Sequence, residues 1–314
     1  MDRAISPPPA GTLLETLTPE LLAATRGRPN FRAAVEFHCA GRVRAQAEMD
    51  ALTRWTTRDI GRYGLASAAV ILDGQPGGVT AAALFLAGMS SGVSSRGRVT
   101  KFIEHLQKEG GLTIPPGSDH WTRRRLIIHP RLADPIFDHV RVWIRSAALV
   151  FPELQACFVR LDDRAWMVQY MAIGGVLATQ AKYLLGAPDL PMSLFIGRDG
   201  GMAVFCDLFC RQAPDRRRLL ETAPLSRKGL AARTAVSRTQ IQRLLSEGAD
   251  QGLITCSRDL VHFTEKMSED AERHFALTLH LTRMSVAMAP RVMAAGALAA
   301  DTAHVHASGG EGPG

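Results

Sequence analysis

Basic and amide side chains are concentrated in residues 225–245, where their spacing suits recognition of a polyanion. Ser237 and Gln240 have the spacing of a capping box, in which each side chain bonds the other residue's backbone N–H at a helix start. Apolar residues then recur at helical spacing, which predicts a buried face. That face comprises Ile241, Leu244, Leu245 and Ala249. The opposite face keeps arginine and glutamine side chains, which contact phosphates and read guanine and adenine edges.

The flanking residues predict a helical hairpin followed by two short strands. A short helix is expected from Ser226 to Arg233 and a second helix from Ser237 to Gly252, where glycine ends it. A hairpin is expected over 253–264, with Arg258 near its tip. The candidate nucleic-acid contacts in this half are Arg227, Lys228, Ser237, Arg238, Thr239, Gln240, Gln242, Arg243 and Arg258.

An earlier segment, residues 79–128, repeats this plan with little sequence similarity. A short helix is expected from Val79, with Thr80 as its N-cap, and a second helix from Ser94 to about Lys108. The second helix carries a buried stripe of Val99, Phe102, Ile103 and Leu106, and Gly97 weakens its first turn. A basic hairpin is expected to follow, with a strand over 121–128. The candidate contacts in this half are Ser94, Ser95, Arg96, Arg98, Thr100, Lys101, Arg123, Arg124 and Arg125.

Both segments resemble the helix-turn-helix of MarR-like winged-helix transcription regulators. The resemblance covers residues 57–131 and 201–265, and the later segment carries it best through the run Ala235-Val236-Ser237-Arg238-Thr239. Asp119 precedes the arginines at a longer spacing than the Asp-x-Arg of MarR-like wings. The resemblance implies a mainly α fold with small β-hairpin wings, in which two winged helix-turn-helix units are joined by a helical pseudo-dimer interface.

The same resemblance implies the partners. Double-stranded DNA would be read by two non-identical recognition helices in successive major grooves, about 34 Å apart. In MarR-like proteins a small-molecule effector often binds between the DNA-binding and helical regions. The corresponding residues here are Trp166, Met167, Tyr170 and Met171, whose helical spacing equally fits plain core.

The remaining chain is expected to join these units. We predict a disordered lead-in over 1–11, N-terminal helices over 12–56 and a helical connector over 132–200. A C-terminal helix is expected over 266–300. A disordered tail is expected over 301–314.

The positive charge is unevenly distributed. The chain has a formal net charge of +7. Eight Lys/Arg against three Asp/Glu fall between Ser94 and Arg131, and ten against four fall between Arg211 and Arg258. Two separated basic regions are typical of a protein with two contacts to a polyanion.

Other classes of protein find less support. The sequence has no phosphate-binding loop, no dinucleotide fingerprint and no hydrolase or zinc motif, so we expect neither enzymatic activity nor a cofactor. Cys206 and Cys210, four residues apart, fit a metal half-site, a redox pair or simply buried thiols.

No secretory signal or membrane-spanning segment is expected, which favours a cytoplasmic, nucleoid-associated protein. A plasmid-type replication initiator and a structural tandem winged-helix protein remain as alternatives.

Overall fold

The computed structural model describes residues 17–90, 94–117, 120–180 and 190–308, with side chains described for all but 90, 179–180 and 291–308. The protein is mainly helical and has two small antiparallel sheets. The elements of the first half are α1 (Pro19–Arg26), α2 (Phe31–Glu48), α3 (Ala51–Thr56), α4 (Ile60–Asp73), β1 (Val79–Thr80), α5 (Ala81–Ser90), α6 (Arg96–Lys108), β2 (Leu112–Thr113), β3 (Arg125–Ile128), α7 (Pro130–Val150) and α8 (Arg164–Gln180). Those of the second half are α9 (Ser193–Ile196), α10 (Gly201–Cys210), β4 (Thr222–Pro224), α11 (Arg227–Thr234), α12 (Arg238–Asp250), β5 (Ile254–Cys256), β6 (Leu260–Phe263) and α13 (Glu265–Ser308). Two 3₁₀ segments, Trp121–Arg123 and Pro152–Arg160, complete the set.

One topology occurs twice. In each half, a helix leads into a strand, two helices, an antiparallel strand pair and a long helix. The sheet orders are β1-β3-β2 and β4-β6-β5, so the strand before the two helices pairs with the last strand in both cases. The registers that fix these sheets include Val79 opposite Leu126 and Ala223 opposite Val261.

A helical core joins the two halves. Helix α2 packs against α7 and α10, and α13 packs against α8, α7 and α1. Helix α7 supplies a regular apolar stripe that includes Ile136, Val140, Ile144 and Ala147, all of which are buried. Because no single helix hides its apolar face alone, this interlocked packing stabilises both halves together.

The two halves also meet where each begins. Residues 58–61 and 198–201 share the pattern Arg-Asp-x-Gly. The Arg58 Nε atom lies 2.9 Å from the Asp199 Oδ2 atom, and the Gly200 N–H donates to the Arg58 carbonyl oxygen at 2.8 Å. The start of α4 is therefore joined directly to the start of α10.

Several element boundaries differ from the sequence-based predictions. Val79 and Thr80 form a strand, although Thr80 does cap α5 by accepting the Ala83 N–H at 3.1 Å. Within the predicted N-terminal helices over 12–56, helix α2 ends at Glu48, and the capping Asp50 starts a new helix, α3. The strand predicted over 121–128 is a 3₁₀ turn followed by β3.

Further differences concern the long helices. Helix α7 begins at Pro130, two residues before the predicted start of the helical connector at residue 132, because a proline at the first helical position loses no hydrogen bond. Helix α13 continues to Ser308, beyond the predicted end at residue 300; alanine-rich sequence has high helix propensity. The predicted lead-in over 1–11 and the last residues, 309–314, lie outside the described residues. No described helix is long and apolar enough to cross a bilayer.

Candidate nucleic-acid interface

Helix α12 has the capped start that its sequence predicts. The Ser237 Oγ atom accepts the Gln240 N–H at 3.2 Å. The preceding turn is fixed by Ala235, whose φ of 53° places it in the left-handed region. The buried face consists of Ile241, Leu244, Leu245 and Gly248, whereas Ala249, predicted to face the core, is exposed. The prediction failed by one residue because the stripe continues through the glycine, which allows close packing against Leu194 and Ile254.

The opposite face of α12 is polar and basic. Arg238, Thr239, Gln242 and Arg243 are exposed, and Gln240 is half-buried. The Gln242 side chain is held at both ends, since its Oε1 atom accepts from Arg227 Nε at 2.9 Å and its Nε2 atom donates to Ser246 Oγ at 3.1 Å.

Arg227 therefore orients Gln242 and does not simply extend into solvent, a role that the sequence did not reveal. Lys228 and Arg258, the latter at the hairpin tip, are exposed as expected.

Helix α6 carries the corresponding face in the first half. The Ser95 Oγ atom caps it by accepting the Arg98 N–H at 3.4 Å. Arg98 and Lys101 are exposed, and the Arg96 guanidinium lies 5.2 Å from the centre of the Phe85 ring. Thr100 is half-buried and donates to the Arg96 carbonyl oxygen at 3.2 Å.

Ser94, predicted to contact nucleic acid, does not belong to this face. It is 8% exposed, and its backbone N–H donates to the Gly88 carbonyl oxygen at 3.1 Å. The helix begins at Arg96, two residues later than predicted, so Ser95 becomes the cap and Ser94 packs behind it.

The two helices share one register. Both have 13 residues, and residue n of α6 corresponds to residue n + 142 of α12. The offset relates the capping serines Ser95 and Ser237, and it relates Gly110 and Gly252, which end the helices with φ of 74° and 64°. It also relates the two buried stripes, which are Val99, Phe102, Ile103 and Leu106 in one helix and Ile241, Leu244, Leu245 and Gly248 in the other.

This register makes the differences between the exposed faces explicit. Position by position, Gly97, Arg98, Thr100 and Lys101 of α6 correspond to Thr239, Gln240, Gln242 and Arg243 of α12. Only the first exposed position of the two helices holds the same residue type, Arg96 in α6 and Arg238 in α12. The exposed faces of α6 and α12 therefore share one geometry but differ in side-chain chemistry.

The three consecutive arginines occupy different positions. Arg123 is exposed in the 3₁₀ turn, Arg124 is half-buried, and Arg125 is exposed in β3 beside Gly78. Trp121 is partly buried and contacts the Phe85 ring edge-on at 6.1 Å. The turn is thereby anchored to α5, while Asp119 lies outside the described residues.

Part of the second basic region serves the fold. Arg216 is 8% exposed, donates to the Leu219 carbonyl oxygen at 2.9 Å and pairs with Glu36 at 3.1 Å. The Arg32 guanidinium binds the carbonyl oxygens of residues 216–218. Fewer of the charges between Arg211 and Arg258 are therefore available to a ligand than the sequence count implies.

Burial also bears on two other groups of residues that the sequence singled out. Trp166, Met167, Tyr170 and Met171 are at most 7% exposed, so an effector there, which stays a prediction, would have to displace packed side chains. Cys206 is buried and Cys210 is exposed, so they do not form a matched buried pair. Among the described residues, no three His, Cys, Asp or Glu side chains are grouped as metal ligands.

Gly97 provides a stability prediction. A Cβ atom built on it meets nothing within 4 Å, and alanine is favoured over glycine in a helix by roughly 0.5–1 kcal/mol. Gly97→Ala should therefore raise the free energy of unfolding by about that amount in urea titrations. Gly110→Ala is the opposing control, because its φ of 74° disfavours alanine. A destabilising Gly97→Ala would mean that the first turn of α6 is not helical.

Comparisons with models of known protein families, with curated proteins and with solved structures found no match.

Proposed function

We propose that the protein is a sequence-specific double-stranded DNA-binding transcription regulator that uses two winged helix-turn-helix units in one chain. The observation that carries this proposal is the repeated register of α6 and α12. Each has a serine-capped start, an exposed basic face and a following strand pair. Duplex DNA offers two neighbouring major grooves, which suits a protein with two such helices.

The exposed residues divide into two roles. Arg238, Gln242 and Arg243 suit base edges and nearby phosphates. The Gln242 amide is held in one orientation because it accepts a hydrogen bond from Arg227 and donates one to Ser246. Arg123, Arg124 and Arg125 suit phosphates beside the groove. Their spacing along a turn and a strand supplies positive charge but no fixed geometry for reading base edges.

The proposal predicts that one half of the binding site depends on α12. Gln242→Ala and Arg238→Ala should each cost about 1–3 kcal/mol of binding free energy and relax base preference in that half alone. The measurement is affinity selection from a randomised duplex library, followed by Kd determination on the selected site. Thr100→Ala, at the position corresponding to Gln242, is the matched control and should alter only the other half. If Gln242→Ala and Thr100→Ala changed base preference in the same half of the binding site, the assignment of one helix to each half would be wrong.

The common register permits a second, constructive test. Gly97→Thr, Arg98→Gln, Thr100→Gln, Lys101→Arg and Glu104→Ser together give α6 the exposed residues of α12 from Arg238 to Ser246. The selected site should then change from two unlike halves to an inverted repeat of the half read by α12. Selection of the original site by this variant would argue against base reading by α6.

Mapping of genomic binding sites separates the proposed role from replication initiation. A regulator should occupy sites near promoters, whereas an initiator should occupy repeated sites at an origin.

A further inference from the structure

A chain of side-chain hydrogen bonds joins α11 to the exposed face of α12. The Arg227 Nε–H donates to the Gln242 Oε1 atom at 2.9 Å, and the Gln242 Nε2 atom donates to the Ser246 Oγ atom at 3.1 Å. Gln242 and Ser246 are exposed on α12, whereas Arg227 is half-buried at the first position of α11. The chain therefore crosses the surface of the second helix-turn-helix unit, where a ligand can reach it.

The donor chemistry of Arg227 fixes which way round the Gln242 amide lies. A guanidinium has N–H donors and no acceptor, so the amide oxygen must face Arg227 and the amide nitrogen must face Ser246. An amide has two acceptor positions on its oxygen and two N–H donors on its nitrogen. Because the chain uses one of each, Gln242 keeps one acceptor position and one donor for a ligand.

That remaining pair matches one base of duplex DNA. Adenine presents an N6–H donor and an N7 acceptor in the major groove, whereas guanine presents two acceptors, N7 and O6. A free amide could offer both of its N–H groups to the two acceptors of guanine. The bond to Ser246 occupies one of these N–H groups, so the Gln242 amide is complementary to adenine and not to guanine.

The rest of the Arg227 guanidinium suits a different ligand. Its Nε atom serves Gln242, and its two Nη groups carry four further N–H donors. Within the part of the chain that the structure describes, Arg227 has no carboxylate within 4.0 Å. A backbone phosphate is the group of DNA that a guanidinium binds best, through paired N–H···O bonds.

Resting on the proposed function, we propose that Arg227 is a positioning residue that bridges a backbone phosphate to Gln242, and that Gln242 reads adenine. The phosphate fixes the guanidinium, and the guanidinium fixes the amide. The amide then accepts the adenine N6–H through Oε1 and donates to N7 through Nε2. A phosphate contact, which carries no sequence information by itself, thereby sharpens base reading.

The first unit lacks this chain of hydrogen bonds. The capped starts of α5 and α11 correspond, so Ala81, which is fully buried, holds the position of Arg227. Thr100 and Glu104 stand where α12 has its glutamine and serine. The strict adenine should therefore lie in the half of the site that α12 reads. In the exchanged α6, Thr100→Gln should prefer adenine more weakly than Gln242 does, because no arginine orients it.

Base preference at one position tests the role of Arg227. The position is the one at which Gln242→Ala loses its preference, and Kd is measured on duplexes carrying each of the four bases there. The wild type should prefer adenine by about 5- to 150-fold. Arg227→Lys keeps the positive charge but loses the Nε–H donor and the planar fork. It should reduce the preference to less than about threefold and leave the slope of log affinity against log salt unchanged.

Further variants separate positioning from charge. Arg227→Ala should lose the same preference and also lower the salt slope by about 0.9. Adding Arg227→Lys to Gln242→Ala should cause no further loss of preference, because the two side chains act as one unit. Arg145→Ala removes an exposed charge from α7 and is the matched control, which should retain the wild-type preference and affinity.

Different results overturn the DNA-binding proposal and the role of Arg227. A wild type that binds no duplex would overturn both. A wild type that binds duplex but prefers another base at this position would overturn the reading of adenine by Gln242. An Arg227→Lys variant that binds duplex and keeps the full adenine preference would overturn the positioning role of Arg227 and leave the DNA-binding proposal intact.

Discussion

Replacing Arg123, Arg124 and Arg125 together with alanine is expected to weaken binding to every duplex, whatever its sequence. Each lost phosphate contact lowers the slope of log affinity against log salt by about 0.9, so three contacts lower it by about 3. We expect the affinity near 0.1 M salt to fall by about one to two orders of magnitude, with base preference unchanged. Titrations of one specific and one unrelated duplex over a range of salt concentrations measure both quantities.

A matched control separates this effect from the loss of overall charge. Arg145 and Arg160 are exposed arginines outside residues 57–131 and 201–265, on α7 and the 3₁₀ segment that follows it. Their replacement by alanine removes two positive charges but should leave the salt slope within experimental error. An unchanged slope in the triple variant would show that the turn before β3 does not contact phosphates.

Lowering the pH from 7 to 4 is expected to remove several kcal/mol from the free energy of unfolding. The cause is a set of four histidines, of which His38 and His280 are buried and His139 and His274 are half-buried. Burial, the largest cause in each, lowers the pKa of His274 and His280 to about 4 and that of the other two well below 6.5. The Nδ1 atoms of His38, His274 and His280 are buried without a hydrogen-bond partner, which makes protonation costly.

The direction follows from proton binding in the two states. In the unfolded chain a histidine takes up a proton near pH 6.5, whereas in the folded protein His274 and His280 do so only near pH 4. The unfolded state therefore binds more protons over this interval, so the stability present above pH 6.5 is lost as the pH falls. A shift of this size corresponds to about 3 kcal/mol for each of these two residues at pH 4.

Urea unfolding at a series of pH values measures this loss. His274→Gln should flatten the pH dependence between 6.5 and 4, even if it lowers stability at pH 7. His120→Gln is the control, because His120 is exposed beside the basic turn. An unfolding free energy that is flat from pH 7 to 4 in the wild type would contradict the neutral, buried state of these residues.

The predictions from sequence succeeded where the pattern is local. The Ser237 cap and the four-residue stripe of α6 depend on contacts within one or two turns, so the sequence contains the necessary information. The order of two helices followed by a strand pair follows from the glycines and caps that separate them, whereas the strand before the two helices in each half was not predicted. The exposed faces of α6 and α12 could be predicted because they are what remains once the buried stripes are assigned.

The predictions failed where the determinant lies elsewhere in the fold. Arg216 looks like a surface charge in sequence, but carbonyl oxygens and Glu36 of a distant helix satisfy it in the interior. The hold of Arg227 on Gln242 likewise depends on how α11 crosses α12.

The junction between the starts of α4 and α10 has a consequence for how the two halves diverge. In a symmetric homodimer, every such contact occurs twice, because residue i meets j and j meets i. Here Arg58 pairs with Asp199, but Arg198 pairs with Glu247, and Asp59 instead caps α4 by accepting a backbone N–H. Only one of the two equivalent ion pairs is therefore formed. A mutation in this chain changes one side of the junction at a time, so each half is free to acquire its own exposed residues without altering the other.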